Sequence, residues 1–278
     1  MFDIGKAICV DPIRFIVMRK ENFLLGVVSI FLVTLFSCSK DNSDNIKLLK
    51  KLVETSSDGT SNTTLYAYKG NEIVTMDSEQ QHVDYTYTNG LITKIITKTK
   101  LSQSSTSLEF TYDKDKLVRI NSSDNYFIKF IHNSDETVSY QKTSLNTNNE
   151  EVKLYHGVLS FKNKNLIKDK RTLDDTEPGV TSNYDISYEY DLKKNSFYNI
   201  LGFDKLLNQN DLISLNNSLI SVVESSVTNA EDQITSSANF YKSAFKYDKE
   251  GYPTEKVSES VMPSDGKSGY LKTKYFYE

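Results

Sequence analysis

The sequence predicts an all-β fold, an antiparallel meander of repeated β-hairpins that forms a large curved sheet. Three observations predict it: aromatic residues alternate along short segments, turn-forming Asn, Asp and Gly follow these segments, and tyrosine is abundant while proline is scarce. The chain contains 18 Tyr and 14 Phe but only 4 Pro. Tyrosine suits the half-buried surface of a pleated sheet, whereas proline cannot donate to a strand ladder.

An export signal precedes the predicted β domain. Residues 23–36 are mostly apolar, and Arg19 and Lys20 place positive charge just before them. An apolar core of about 7–15 residues after basic residues is typical of a signal peptide, whereas a membrane-spanning helix needs about 20. We therefore predict a signal peptide over residues 18–37.

The first seventeen residues, 1–17, do not fit this signal. They carry Asp3 and Asp11 ahead of the basic residues, where a signal peptide is normally free of acidic side chains. We interpret 1–17 as an over-extended start, with Met18 as the true first residue.

The end of the apolar stretch, Leu35-Phe36-Ser37-Cys38, resembles the lipobox of bacterial lipoprotein precursors. The resemblance implies diacylglyceryl transfer to the Cys38 thiol and signal cleavage between Ser37 and Cys38. The alternative is an uncleaved anchor helix with an incidental cysteine. Two or three acyl chains, at about 0.8 kcal/mol per buried CH₂, would hold the chain to a membrane essentially permanently.

Residues 38–45 are polar and acidic and are interpreted as a lipidated, flexible tether. This segment resembles the acidic residues that follow the lipidated cysteine in Bacteroidota-type lipoproteins. The resemblance implies an outer-membrane location with display on the outer face, and a periplasm-facing anchor is the alternative.

Residues 46–278 form the predicted β-repeat domain. Its repeat consists of two aromatic residues separated by one residue, then a turn of Asp, Asn, Gly or Lys, an apolar pair and a basic residue. The alternation puts the two rings on one face of a strand, and Asn89-Gly90 is a strong hairpin-turn signal. Copies begin at Tyr66, Tyr85, Phe110, Leu159 and Phe245, and partial copies at Ile128, Tyr188 and Tyr275.

The repeats resemble the YD/RHS type, in which aromatic-Asp-x-x-Gly hairpins stack into long β-sheets. Tyr112-Asp113, Tyr190-Asp191 and Tyr247-Asp248 keep the aromatic-Asp pair, and Gly90 and Gly251 keep the turn glycine. More narrowly, the mature chain resembles Bacteroidota lipoproteins of unknown function built from such hairpins. The degenerate motif does not imply a toxin-enclosing shell.

A longer interval separates the repeats around Tyr190 and Tyr247. Between them, Leu and Ile recur at a spacing of three to four residues, beginning at Ile200. This spacing predicts a short helical insertion near 198–224 that covers an end or a face of the sheet. A helix that binds a partner is the alternative.

The sequence predicts no catalytic residues, no metal site and no cofactor. His82, His132 and His156 lack the companion ligands at i+4 or in Cys-x-x-Cys that metal sites need. The acidic pairs Glu150-Glu151 and Asp174-Asp175 favour solvated loops over glycoside hydrolysis, because adjacent strand residues face opposite sides. A net charge of −4 argues against a nucleic-acid partner.

One candidate site remains, an aromatic surface of Tyr85, Tyr87, Tyr112, Tyr188 and Tyr190. Exposed tyrosines can stack on sugar rings or form a protein interface, and cross-strand pairing within the sheet is the alternative.

The sequence therefore predicts a non-enzymatic envelope protein, held to the membrane by its lipid, whose sheet is a binding or structural surface for an envelope protein or a glycan. The alternatives are a glycan-binding protein of a surface uptake system and a hydrolase with its site in the insertion.

Overall fold

A computed structural model describes residues 46–148, 150–174, 176–261 and 269–278 of the chain. Ile46–Glu278 form one compact unit. The predicted signal peptide and lipid anchor, with Ser37 and Cys38, lie outside the described residues. Within those residues, no helix is long and apolar enough to cross a membrane.

Sixteen antiparallel strands account for most of the described chain, which confirms the prediction of an all-β antiparallel fold. The strands are β1 (Leu49–Ser56), β2 (Ser61–Lys69), β3 (Glu72–Ser78), β4 (Gln81–Thr88), β5 (Leu91–Thr99), β6 (Ser105–Asp113), β7 (Lys116–Ser122), β8 (Tyr126–His132), β9 (Val138–Leu145), β10 (Glu151–Lys162), β11 (Asn165–Leu173), β12 (Thr181–Lys194), β13 (Asn216–Thr228), β14 (Ile234–Tyr247), β15 (Pro253–Val261) and β16 (Gly269–Tyr277). Each strand pairs with the next one in the chain.

The sheet closes into a barrel, which corrects the predicted large curved sheet. Closure results from pairing of the first and last strands, with Leu49 opposite Tyr277 and Ser56 opposite Leu271. Closure pairs the backbone groups that an open meander would expose at its two edges. The local repeat pattern carries no information about pairing between strands so distant in sequence.

The repeated unit is a β-hairpin with a bulge just after its turn. In the β4–β5 hairpin, Tyr87 lies opposite Ile92 and Thr86 opposite Lys94, so Thr93 is the extra residue. Four more hairpins have the same bulge, with the extra residue at Val74, Val118, Ile167 or Thr254. A bulge at a constant position increases strand twist and helps a sheet to curl into a barrel.

The second aromatic residue of the repeat fastens its strand to the neighbouring strand. Its hydroxyl donates to a backbone carbonyl at 2.6–2.9 Å in four pairs: Tyr68 to Leu49, Tyr112 to Ile92, Tyr190 to Leu166 and Tyr277 to Pro253. On β8, His132, two residues after the second repeat residue Phe130, makes a similar contact, with Nε2 2.9 Å from the Leu117 carbonyl. Each of these carbonyls lies beyond the last registered residue pair of its two strands, so the side-chain contact takes the place of a ladder hydrogen bond.

The two faces of the barrel wall differ in chemistry. Ile73, Ile92 and Leu117 face the interior and are almost completely buried. Alternate residues carry ion pairs on the outside, including Lys94–Glu109 at 2.9 Å, Lys98–Asp84 at 2.9 Å and Lys168–Asp185 at 3.2 Å. The apolar core of this protein is therefore inside the barrel.

Residues 195–215, between β12 and β13, are called the plug segment here. They contain two 3₁₀ turns, Phe203–Lys205 and Asn210–Ile213, and the remainder of the predicted insertion belongs to β13. The predicted helical insertion near 198–224 is thus corrected. The plug segment is a compact loop that buries apolar residues on several sides, which produces a helix-like Leu/Ile spacing without a helix.

The plug segment fills one end of the barrel, called the plugged end. Phe197 stacks on Phe203 with ring centroids 4.6 Å apart and packs edge-on against Tyr66 of β2 at 6.0 Å. On the other side, the Leu166 amide of β11 donates to Ser214 Oγ at 3.0 Å. The segment therefore spans the interior from one wall to the other.

Replacement of a wall residue that packs against this core should destabilise the barrel. Ile120→Ala is expected to lower the free energy of unfolding by about 2–5 kcal/mol, because it leaves a cavity at a fully buried position. Leu192→Ala, at a side chain that is 93% exposed, is the control and should change stability by less than about 0.5 kcal/mol. Urea unfolding followed by circular dichroism measures both; equal stabilities would contradict the assignment of the core.

The outer face predicts a pH dependence at His82. Hydrogen bonds that the protonated imidazole donates to Asp77 at 2.8 Å and to Asp84 at 3.1 Å raise the pKa of His82 above 6.5. This shift adds to the free energy of unfolding. The contribution is complete below the pKa of His82 in the unfolded chain and is lost as the pH rises through its pKa in the folded protein. An NMR titration should show the raised pKa, and Asp77→Asn should lower it; a pKa unchanged by that substitution would contradict the assignment.

Candidate ligand-binding site

The five tyrosines of the predicted aromatic surface lie on the inner wall of the barrel. All five are partly buried; Tyr85, Tyr87, Tyr112 and Tyr188 pack against the buried core, and the Tyr190 ring lies 6.2 Å from that of Tyr188. Burial raises the pKa of Tyr85 to about 12. These rings face the interior, so a ligand would have to enter the barrel to reach them.

Two of the predicted tyrosines position the plug segment. Tyr87 Oη donates to the Leu201 carbonyl at 3.0 Å, and Tyr190 Oη accepts from Ser214 Oγ at 2.9 Å. The structure thus brings the predicted residues together around the plug segment, where their hydroxyl groups are engaged by the protein itself.

The opposite end of the barrel, called the open end, leaves the interior accessible. Ser237 and Tyr241 of β14 face inward, because they pair with Ser225 and Ser221 on the same side of the wall as Tyr184 and Tyr188. Both Ser237 and Tyr241 are exposed to solvent. Among the described residues, which do not include 262–268 between β15 and β16, the interior at this end is therefore accessible to water and is called the lumen.

A charged cluster lies on the lumen wall formed by β9, β10 and β11. Asp169 is almost completely buried and accepts a short hydrogen bond from Tyr140 Oη. Arg171 donates from Nη2 to Asp169 at 2.9 Å and from Nε to Tyr140 Oη at 3.0 Å. These contacts fix the guanidinium against the wall and leave its Nη1 edge without a described partner.

Aromatic rings surround the Arg171 guanidinium. Its Cζ lies 4.5 Å from the Tyr155 ring centroid and 5.6 Å from that of Tyr184. Cation–π contacts of this kind stabilise a partly desolvated charge by about 0.5–2 kcal/mol. The rings also give the cluster flat apolar faces directed into the lumen.

Lys142 adds a second cation to the same wall. Its Nζ lies 3.8 Å from the Tyr126 ring centroid and 5.8 Å from that of Tyr155. Burial lowers the pKa of Lys142, and the neighbouring charge of Arg171 lowers it further. Both cations, Lys142 and Arg171, therefore lie near the Tyr155 ring.

A cavity of about 80 Å³ separates this cluster from the plug segment. Apolar side chains of the wall, including Phe130 and Leu159, form its sides, while Arg171 and Asn208 line it with polar atoms. Asn208 Oδ1 is buried without a hydrogen-bond partner among the described residues. An unpaired buried acceptor is unfavourable by about 1–3 kcal/mol, so a donor from water or a ligand would be stabilised here.

Gly157 permits the close packing that builds this cluster. A Cβ at this position would lie 2.5 Å from the Lys170 carbonyl oxygen and 2.5 Å from the Tyr140 ring. The Tyr140 ring lies over the glycine and from there reaches Asp169. A residue without a side chain is therefore required at the base of the site.

Sequence reasoning missed Lys142, Asp169, Arg171 and Asn208. One signal was present: Lys168-Asp169-Lys170-Arg171 lies within a strand, so its two faces both carry charge. Because one face of every strand in this fold is the inner one, two of these charges had to lie in the interior.

No described protein family matches the chain, and no curated protein matches it either. A porin-like protein from Bacteroides uniformis ATCC 8492 is similar in structure, with 9% identity over 83% of this chain and 96% of that chain and a TM-score of 0.49. A porin-like protein from Bacteroides vulgatus ATCC 8482 has 11% identity over 84% of this chain and 99% of that chain, with a TM-score of 0.43. Both likenesses are weak, and the barrel is assigned here from its own strand pairing.

The packing at Gly157 leads to a test. Gly157→Ala should lower the free energy of unfolding by about 1–3 kcal/mol, because the added methyl group collides with the Lys170 carbonyl and the Tyr140 ring. Thr111→Ala, on the outer face of β6, is the control. Thermal unfolding followed by circular dichroism measures both, and a Gly157→Ala protein as stable as wild type would contradict the described packing.

Proposed function

We propose that this protein is a non-enzymatic binding protein of the cell envelope, with its barrel in water and its ligand in the lumen. The observation that carries the proposal is the cluster of Arg171, Lys142 and Tyr155 on the β9–β11 wall of a lumen with one open end. Ligand sites combine apolar and aromatic walls with a few fixed polar groups, and this cluster has that composition.

The chemistry of the outer face supports a barrel surrounded by water. A membrane-spanning barrel presents an apolar outer band about 25 Å tall, and a lysine or arginine at the bilayer midplane is unfavourable by about 2–4 kcal/mol. Here the outward side chains in the middle of the strands include Lys94, Asp84 and Lys168, all in ion pairs. Such a surface is stable in water and unfavourable in lipid.

The plug segment favours binding over passage through the barrel. Leu206 is completely buried, and Phe203 and Ile213 pack against the wall. A solute that entered through the open end would therefore meet a packed apolar barrier. Any passage would require this segment to leave the core.

Attachment to the envelope would come from the lipidated Cys38 that the sequence predicts. In this proposal the lipid supplies the membrane contact, and the barrel itself supplies none. The predicted outer-membrane location and display on the outer face belong to the same proposal.

If the barrel is surrounded by water, the protein should stay folded without detergent. Residues 39–278, produced without the leader and the lipid, should remain folded and monodisperse in aqueous buffer. Size-exclusion chromatography with light scattering and circular dichroism measures this. Aggregation that only detergent relieves would contradict the proposal.

The binding hypothesis is tested with an array of immobilised oligosaccharides, probed with the full-length chain in mild detergent. Tyr184→Ala removes a ring from the lumen cluster and should weaken binding about two- to tenfold. Tyr270→Ala removes a ring of β16 that is 48% exposed, and it should leave binding unchanged. If no glycan binds, or if both variants bind like wild type, the lumen is not the ligand site.

A further inference from the structure

We propose that the ligand in the lumen is an acidic sugar, whose ring bears a single negative charge as a carboxylate or a sulfate ester. This inference rests on the proposed function and assigns the ligand class to the same site.

The cluster has one positive charge more than it has negative charges. Asp169 pairs with Arg171 at 2.9 Å. The Lys142 ammonium lies over aromatic rings. Asp124 is near enough to raise its pKa, but within the part of the chain that the structure describes no carboxylate lies within ion-pair distance of it. A partly buried charge without an ion-pair partner is unfavourable, and an anion placed between Lys142 and Arg171 would relieve it.

The lumen has an acidic side chain on the opposite wall. Glu54 of β1 faces inward, since it pairs with Thr273 beside the inward-facing Tyr275. In the order of strands around the barrel, β1 lies eight positions from β9, which carries Lys142. Lys256 of β15 also faces inward, beside Phe245 and Thr273, so the net positive charge of the cluster itself, and not a field across the lumen, favours an anion at the β9–β11 wall.

The space beside the Arg171–Asp169 pair suits a substituted ring. The cavity of about 80 Å³ is too small for a whole sugar but large enough for one substituent, given that a water molecule takes about 30 Å³ in the liquid. Asn208 Oδ1 would accept from a sugar hydroxyl in this cavity. The ring itself would lie above, against the faces of Tyr155 and Tyr184.

The guanidinium geometry matches such an anion. Arg171 uses Nε and Nη2 for Tyr140 and Asp169, which fixes its plane. Its remaining N–H groups then present fixed donors to a planar carboxylate or a sulfate oxygen. With a neutral sugar bound, these donors and the Lys142 ammonium would interact with water instead of an anion.

The experiment compares acidic oligosaccharides with their carboxyl-reduced counterparts, and sulfated with desulfated ones, on the same array with the full-length chain. The acidic member of a pair should bind about tenfold or more tightly. Lys142→Gln should weaken that binding by a similar factor, and added sodium chloride should weaken it further. Lys142 makes no described hydrogen bond, so this variant should fold normally, which circular dichroism checks.

Lys170→Gln is the matched control, because Lys170 is the neighbour of Arg171 on β11 and is exposed on the outer face. Loss of binding in Lys142→Gln with retention in Lys170→Gln supports the inference, whichever anionic group is bound. Equal binding of acidic and neutral partners, or equal loss in both variants, overturns it and leaves the proposed function standing. An array on which no glycan of either kind binds overturns the proposed function instead.

Discussion

The fold depends on filling the interior of a wide barrel. Small barrels are filled by their own inward side chains, but a ring of sixteen strands encloses more space than those side chains occupy. The plug segment supplies the missing apolar surface, since Ile200, Phe203 and Leu206 join wall residues from β3 to β11 in a single core. The buried half of the barrel exists because this segment is present, and the lumen exists because the segment fills only one end.

The repeated hairpin can build this sixteen-stranded barrel although its copies share little sequence identity. Most copies combine an inward ring before the turn with an extra residue after it, and in four of them the tyrosine hydroxyl also reaches a carbonyl of the neighbouring strand. Tyrosine supplies both the ring and the hydroxyl with one side chain, which gives the tyrosine-rich composition a structural cause. His132 makes a similar contact with the Leu117 carbonyl at 2.9 Å without being a tyrosine.

The local hairpins could be predicted from the sequence, but the closure of the strands into a barrel could not. Asn89-Gly90 and the alternating rings beside it predict a hairpin, and a hairpin is present because turn and strand preferences act over few residues. The pairing of Leu49 with Tyr277 depends on the summed twist of all the strands, and no short pattern contains it.

In the candidate site, too, only the residues that belong to a local pattern could be predicted from the sequence. The inward tyrosines could be found because they belong to the repeat. Arg171 and Lys142 could not, since charged residues on strands normally face water, and only closure of the barrel turns these two towards a lumen. The Leu/Ile spacing of the plug segment was misleading for a related reason: burial on several sides imitates a helical period without helical backbone.

Both described termini lie at the plugged end. The Leu48 amide donates to the Glu278 carbonyl at 3.3 Å, the Glu278 amide donates to the Leu48 carbonyl at 3.0 Å, and Asn199 of the plug segment donates to the Lys47 carbonyl at 2.9 Å. Material joined to either terminus, such as a fluorophore, a fusion partner or a sensor chip, would therefore attach on the side away from the lumen opening. The barrel could be immobilised through one terminus and labelled through the other while solutes still diffuse freely to its opening.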